Sequence, residues 1–413
     1  MKRSIGILLL GLSCQAFAGG PGQPLTLQEA LALLRAQNPT LASARAHMAA
    51  VQAGETTAKL RPNPVLSLAN EDFNVFNPSK FDIANGQEFT DNVAFLMERG
   101  HKRLRRMEDA QLTTLVAGHT YRDNQRQLEL LLKTAFVGML QAKAALKLAQ
   151  ENLSDYSRTL EANQLRLQSG DISQTEFDRI KVEEARFQTD LLNADLALAQ
   201  TRMQLATLLA VQEQSSLDIQ GTLDRPALSL DAVKLRAAAL ATRPDYLAAV
   251  EGVRKAQADL ALANANGATD VTLAPEYKRN GPDNTLGFTV QFPLRVFDRN
   301  QGEKLRTSRE LEASRFAESA ARQQVISDVD QSFAAFQTAL RRADLYSTDY
   351  LQRARLVRDR TEFSYRNGAT NLLDYLDAVR SYRDVELAAI SAESQLLLAV
   401  HQLSFATATE LLP

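Results

Sequence analysis

The 413-residue chain is short of several things. It has one cysteine, which cannot make a disulfide framework or a cysteine-rich metal site. It has no tryptophan and only 6% aromatic residues. No apolar run reaches the ~18–20 residues of a membrane-spanning helix, which excludes a polytopic helical membrane protein. Neither charge sign dominates: 47 basic residues face 49 acidic ones, for a net charge of −2. There is no basic stripe, so nucleic acid is not an expected partner. The four histidines, His47, His101, His119 and His401, show no ligand spacing, so no resident metal is expected. A phosphate-cradling glycine loop, a nucleophile triad and a His-Glu zinc motif are also missing. The chain therefore does not read as an enzyme, and no cofactor is expected.

What is present begins with a leader pattern over residues 1–18. Lys2-Arg3 is a positive start, Ile5 to Leu12 a short apolar core, and Ala16-Phe17-Ala18 an A-x-A cleavage site. Cleavage after Ala18 would remove Cys14. The alternative is that Cys14 becomes a lipidated N-terminus, since Ser13 precedes it.

Two long stretches are rich in Ala, Leu, Gln, Arg and Glu and free of proline: 101–168 with 174–213, and 300–366 with 371–409. These are strong helix formers. Leu128, Leu131, Leu132, Ala135, Leu140, Ala144, Leu146, Ala149 and Leu153 recur at three-and-four spacing and make one apolar stripe. A helix of about 65 residues is ~95 Å long, beyond the usual globular helix, and reads as coiled coil. Each stretch is broken once, at Gln168-Ser169-Gly170-Asp171 and at Arg366-Asn367-Gly368-Ala369. Glycine suits the left-handed position that ends a helix. Two helical hairpins with tight tips are predicted.

The chain repeats itself. Asn38-Pro39-Thr40-Leu41 in the first half answers Arg243-Pro244-Asp245-Tyr246 in the second, each with proline opening a helix. Gly170 answers Gly368. The near-constant offset predicts duplication, with repeats at 19–222 and 223–413. Between the early helices and the hairpin, each half carries a non-helical window, at 64–98 and 270–297. In the second, Leu286, Phe288, Val290, Phe292 and Leu294 alternate with Gly287, Thr289, Gln291 and Pro293, which is strand spacing. Val271, Leu273 and Tyr277 give another strand. In the first window Phe89, Val93, Phe95 and Met97 share a face, and Pro64 to Phe73 is a weaker fourth strand.

Four strands of about ten residues have the length of tilted membrane strands. Four cannot close a barrel, and open edges in lipid leave backbone groups unpaired at several kcal/mol each. If the strands face lipid, several chains share one barrel. A small soluble sheet capping a helical bundle is the other reading of the same periodicity.

The leader, the twofold repeat, two strands per half and two glycine-tipped hairpins together resemble the TolC-type outer-membrane efflux factors, over about residues 25–409. Two segments resemble their heavy-metal (CzcC- and CusC-like) branch. One is Arg61-Pro62-Asn63-Pro64-Val65-Leu66-Ser67-Leu68. The other is Glu98-Arg99-Gly100-His101-Lys102-Arg103, similar to that branch's Glu-Leu-Gly-Gly-Lys-Arg. The resemblance implies a mainly α fold with a small membrane β-barrel portion. Three chains would close a twelve-stranded barrel in the outer-membrane lipid of a Gram-negative cell, continued by a periplasmic helical tube. It also implies a periplasmic adaptor (a membrane fusion protein) and an inner-membrane RND-type pump driven by the proton gradient, with heavy-metal cations as cargo.

The same resemblance implies roles for residues near the tips. Asp374 and Asp377, three apart on one helix face, match the family's Asp-x-x-Asp pair at the periplasmic entrance. Rings of carboxylates favour cations. Tyr365 matches a tyrosine of the closed entrance, with Thr175 and Glu176 as its expected partners and Arg366 as the nearby cation. Gly170, Ile172, Gly368 and Ala369 would meet the adaptor. Two other readings remain: a duct for drugs or organic compounds, and a non-pore periplasmic coiled-coil adaptor. The second would need one hairpin flanked by soluble β-domains rather than a duplicated chain.

Overall fold

The computed structural model describes residues 24–72, 87–211, 217–225 and 228–412. The expected leader and Cys14 lie outside them. The described chain divides into two compact units, and each draws on both repeats. One comprises the described residues of Met1–Asn38, Leu131–Pro226 and Ala339–Leu398; the other, those of Pro39–Leu130, Ala227–Thr338 and Ala399–Pro413.

Helices dominate. The first repeat runs α1 (Leu27–Gln37), α2 (Pro39–Lys59), β1 (Val65–Glu71), β2 (Glu88–Met97), α3 (Lys102–Ser169) and α4 (Gln174–Leu208). The second runs α5 (Ala232–Thr242), α6 (Pro244–Asn266), β3 (Val271–Asn280), β4 (Asp283–Gln291), α7 (Gln301–Leu345), a π turn (Tyr346–Tyr350), α8 (Leu351–Arg366) and α9 (Leu372–Thr407). The expected long helices and both breaks fall within a few residues of the observed ones. The π turn is new. It coincides with Tyr-Ser-Thr-Asp-Tyr, a run of weaker helix formers, whereas α3 passes unbroken through the first repeat.

The two halves of the chain share local geometry. Asn38 and Arg243 each end a short helix at φ −64° and ψ 121°, with proline opening the next. Both are buried polar residues that bond to the last turn of a hairpin's return helix. Asn38 Nδ2 donates to the Leu208 carbonyl at 2.8 Å in one unit, and Arg243 Nη1 to the Ala406 carbonyl at 3.2 Å in the other. Such donors satisfy carbonyls that a helix end leaves free. Arg243, 3% exposed, is also paired with Asp245 at 2.6 Å and Asp328 at 2.9 Å. A charge that deeply buried needs such partners.

The sheet belongs to the second unit and has the antiparallel order β1-β2-β3-β4. Its register places Leu66 opposite Val93, Leu68 opposite Asp91, Phe95 opposite Leu273 and Leu273 opposite Val290. Tyr277 lies opposite Leu286, and Pro275 opposite Phe288. One face therefore gathers nearly all the large apolar residues. The other carries Ser67, Thr90, Asn92, Glu276, Lys278, Thr285, Thr289 and Gln291. The apolar face is uncovered: Leu286 is 86% exposed, Phe288 78% and Leu68 70%. β1 and β4 have no second strand partner among the described residues.

Strand limits differ from expectation in two places. β1 ends at Glu71, and Phe73 lies outside the described residues. β4 spans Asp283–Gln291 rather than 286–294. It starts early because Gly281, at φ +56°, and Pro282 make a two-residue turn between Asn280 and Asp283. It stops before Pro293, which has no N–H for a ladder. Pro275 likewise interrupts the β2–β3 pairing between Asn92–Glu276 and Phe95–Leu273, with the register kept on both sides.

The Glu98–Arg103 segment forms the junction from β2 into α3, inside the second unit. Glu98 takes a two-pronged pair from Arg106, one arm at 2.9 Å. The Arg99 N–H and the buried Lys102 Nζ both donate to Asp270, at 2.9 and 2.6 Å, at the start of β3. Arg103 Nε donates to the Lys59 carbonyl at the end of α2, at 2.7 Å. Gly100 has φ +71°, and an added Cβ would lie 2.7 Å from Ala268 Cβ. His101 is also left-handed, at φ 58°. The motif is thus a joint between the two repeats.

Candidate functional site

The two tips are built alike, inside the first unit. At the first, the Asp171 N–H donates to the Arg166 carbonyl at 2.8 Å and the Gly170 N–H to Leu167 at 3.1 Å. At the second, Ala369 N–H donates to Ser364 at 2.8 Å and Gly368 N–H to Tyr365 at 3.1 Å. This is the Schellman ending, and it requires the left-handed glycine. Gly170 has φ +81° and Gly368 φ +70°, with open space around each. Gly170, Gly368 and Ala369 are exposed. Ile172 is not: it is 8% exposed, so within this chain it offers little side chain to an adaptor, unlike the expectation. An isoleucine just beyond a helix end is drawn inward by its apolar surface.

The helix leaving each tip is capped by a polar side chain. Ser173 and Glu176 form a reciprocal capping box at the start of α4. Asn371 Oδ1 accepts the Asp374 N–H at 2.9 Å at the start of α9, and Thr370 Oγ1 donates to Asp374 Oδ2 at 2.9 Å. Asp374 and Asp377 lie on the exposed side of α9, while Leu372, Tyr375, Leu376 and Ala378 lie on its buried side. The aspartate pair therefore points away from the core, toward solvent.

The buried side meets the other hairpin. Tyr156, Ile180 and Phe187 from α3 and α4 pack with Tyr365, Leu372, Tyr375 and Leu376 from α8 and α9. The rings of Tyr365 and Tyr375 stack at 5.1 Å, tilted by 2°. Tyr156 and Phe187 stack at 4.5 Å. Tyr156 Oη donates to the Ile180 carbonyl at 2.8 Å. Burial raises the pKa of the Tyr156, Tyr365 and Tyr375 hydroxyls, so all three stay neutral.

Tyr365 does not meet its expected partners. Its hydroxyl donates to Asn163 Oδ1 on α3 at 2.9 Å, and Arg166 lies over its ring at 5.1 Å. Glu176 is held by its own capping box, Thr175 is exposed, and Arg366 pairs with Glu362 one turn back. The expected set of Tyr365, Thr175, Glu176 and Arg366 is therefore not one bonded cluster within the chain. The cap explains why: Glu176 sits three residues after Ser173, where its carboxylate reaches back to the N-cap N–H.

A pair unforeseen in the sequence lies further along the seam. Arg380 of α9 grips Glu183 of α4 with two nitrogens, one arm at 2.8 Å. Glu183 is 3% exposed. Burial pushes its pKa up, but the Arg380 hydrogen bonds and the neighbouring Arg186 and Arg383 charges outweigh this and hold it below the usual glutamate value. Three residues on, Arg383 reaches Asp190 of α4 at 3.1 Å. The available signal was a charge inside an apolar stripe: Ile180, Glu183 and Phe187 keep helical spacing. Among the described residues no group of three or more His, Cys, Asp or Glu side chains is placed to hold a metal.

Residues 235–409 match the family model described as outer membrane efflux protein. Over 360 residues the chain is 25% identical to the cobalt-zinc-cadmium resistance protein CzcC of Cupriavidus metallidurans, covering 87% of this chain and 84% of that one. The fold is similar to that of solved CusC, with a TM-score of 0.79 at 17% identity over 96% of this chain and 95% of the other. It is also similar to the CmeC outer membrane channel of Campylobacter jejuni, with a TM-score of 0.78 at 13% identity over 92% and 85%. The signature over residues 235–409 and the similarity in fold agree with the resemblance read from the sequence.

Proposed function

We propose that this chain, which carries an outer membrane efflux protein signature over residues 235–409 and folds like solved efflux channels, is the exit channel of a tripartite system that expels heavy-metal cations from a Gram-negative cell. The observation that carries the reading is the sheet. It has one uncovered apolar face, one polar face and two open edges. Such a sheet is stable in lipid only if its edges are closed, since unpaired backbone groups there cost several kcal/mol each. Pairing β4 of one copy with β1 of the next closes it, and three copies give twelve strands with the polar face lining a lumen.

The hairpins then continue the duct into the periplasm. The exposed tip residues Gly170, Gly368 and Ala369 are the surface for a periplasmic adaptor, which links the channel to a proton-driven RND-type inner-membrane pump. Three copies of Asp374 and Asp377 put six carboxylates at the entrance and favour cations. The metal is cargo, and a tight site in the duct would oppose its release. The likeness to CzcC, a cobalt-zinc-cadmium resistance protein by name, supports metal cations as the cargo class.

Purified protein tests this directly. Native mass measurement should give three copies, and planar bilayers should show discrete cation-preferring conductance. The membrane fraction should retain the protein through an alkaline carbonate wash. A monomer released by carbonate and silent in bilayers would contradict the reading.

A further inference from the structure

Resting on the channel reading above, we propose that the foot of the sheet, where its strands join the helices, is a docking surface for anionic phospholipids. Arg61, Arg99 and Arg299 take the lipid phosphates, and the exposed Leu294 and Phe297 lie among the acyl chains. A lipid-facing sheet is part of the channel reading; a preference for negatively charged headgroups at its foot is not.

The helix-side strand ends lie at one level. Val65, which opens β1, faces Ala94 near the end of β2. Met97, which closes β2, faces Val271, which opens β3, and Gln291, which closes β4, faces Thr272. At that level exposed apolar side chains give way to basic ones. Phe95, Leu96 and Met97 are followed by Arg99. Phe292 and Leu294, 53% and 78% exposed, carry the alternation of β4 past its end, and Arg295 and Arg299 follow. Arg61 stands four residues before Val65. Residues 59–61, 98–106, 268–270 and 292–304 together hold ten lysines and arginines against four acids. The far end of the sheet is unlike this: there Glu71 faces Glu88, and Asn280 faces Asp283.

The acids at the foot are already engaged. Asp270 holds Lys102 and the Arg99 N–H, Glu98 holds Arg106, and Glu303 holds Arg306. Asp298 Oδ1 accepts the Asn300 N–H at 2.7 Å. The charge left over is positive. The side chains of Arg61 and Arg99 are exposed and pair with no described residue, and that of Arg299 reaches only the Arg295 carbonyl, at 3.3 Å. A free guanidinium presents a planar fork of donors that matches a phosphate. Beside these forks Phe297 is 93% exposed and Val296 62%. A soluble polyanion would satisfy the arginines and leave Phe297 in water. A phospholipid brings a phosphate and an acyl chain in one molecule. Basic clusters beside a membrane-embedded segment gather anionic lipid in this way, over about a Debye length.

The chain has no tryptophan, so Phe297→Trp gives the full-length channel a single reporter at the foot of the sheet. The variant is reconstituted in mixed phosphatidylethanolamine and phosphatidylglycerol vesicles, with one lipid or the other brominated on its acyl chains at equal bromine content. We expect quenching by brominated phosphatidylglycerol to be at least twofold stronger, because that lipid is enriched around the reporter. Adding Arg61→Gln, Arg99→Gln and Arg299→Gln should equalise the two, and so should 0.5 M salt for the unsubstituted arginines. Equal quenching by both lipids, or a preference unchanged by the three substitutions, would overturn the proposal. So would binding of soluble peptidoglycan fragments that depends on the same arginines without any lipid preference, since it would give the collar another partner. The salt arm needs no arginine variant to fold. Failure of the channel reading looks different: the protein would then neither conduct nor remain with the vesicles, whatever their headgroups.

Discussion

Glu176 and Asp374 hold the same place in the two repeats. Each is the third residue of the helix leaving a tip, 198 residues apart, as Gly170 and Gly368 are. Each follows a short polar N-cap, Ser173 or Asn371. A carboxylate at this position is favoured by the helix dipole whatever else it does. In the second repeat Asp377 follows one turn on; in the first, Arg179 stands there. The carboxylate pair spaced three apart is therefore found at the second tip and not at the first.

Selectivity should follow from that asymmetry. The double variant Asp374→Asn with Asp377→Asn should assemble normally, since both side chains lie on the exposed side of α9. Its cation-over-anion permeability should fall several-fold, read as a reversal potential moving toward zero in a salt gradient. An unmoved reversal potential would remove these aspartates from the conduction path.

The tip glycines should matter for docking more than for assembly. Nothing lies within 4 Å of a Cβ added at Gly368, so a substitution meets only backbone strain at φ +70°. That strain is about 1–2 kcal/mol. Gly368→Val should leave the proposed trimer intact on native gels and abolish efflux. Loss of the trimer would instead make the glycine a folding device.

The β2–α3 joint yields a pair of opposite expectations. Gly100→Ala combines a positive φ with a 2.7 Å clash against Ala268 and should destabilise the protein by about 2–3 kcal/mol. His101 pays for a left-handed backbone at φ 58° without being a glycine. His101→Gly should stabilise by up to about 1 kcal/mol. Thermal melts of both variants against wild type check the signs, and a destabilised His101→Gly would refute the strain.

A pH dependence is expected from Asp109. Lys255 Nζ lies 2.7 Å from Asp259 and 3.6 Å from Asp109. Burial first, then the hydrogen bond and charge of Asp259, raise Asp109 to about 6. A carboxyl raised above its unfolded value binds its proton more tightly when folded, so its protonation favours the fold. Its contribution to stability should improve as pH falls from 7.5 through about 6, and Asp109→Asn should be the more stable form at pH 7.5 by about 1–2 kcal/mol. Melting curves at pH 7.5 and 5 test this. A variant less stable than wild type at pH 7.5 would contradict it.

Much of the architecture was legible because it rests on periodicity. The apolar stripe of α3, the alternation of Leu286, Phe288 and Val290, and the glycines at both tips are short-range signals with short-range causes. The Glu98–Arg103 motif was visible as a pattern, but its work was not, since Asp270 and Lys59 lie far off in sequence. Tyr365 was singled out, but its bonding partner within the chain, Asn163, was not. Asn163 is some 200 residues away, and nothing local distinguishes it from any other polar residue of a long helix. Ile172 looked like a tip residue by position, yet its apolar side chain turns inward. Glu183 sat in the apolar stripe in plain view, but a buried glutamate makes sense only once Arg380 is beside it.

The central claim is that this duct carries metal cations outward. Growth of a strain lacking the gene should be measured on graded cobalt, zinc, cadmium, nickel, copper and silver, with dyes and detergents as controls. The account predicts a lowered tolerance to metals alone, restored by the wild-type gene. Unchanged metal tolerance with new sensitivity to dyes or detergents would keep the channel and contradict its cargo.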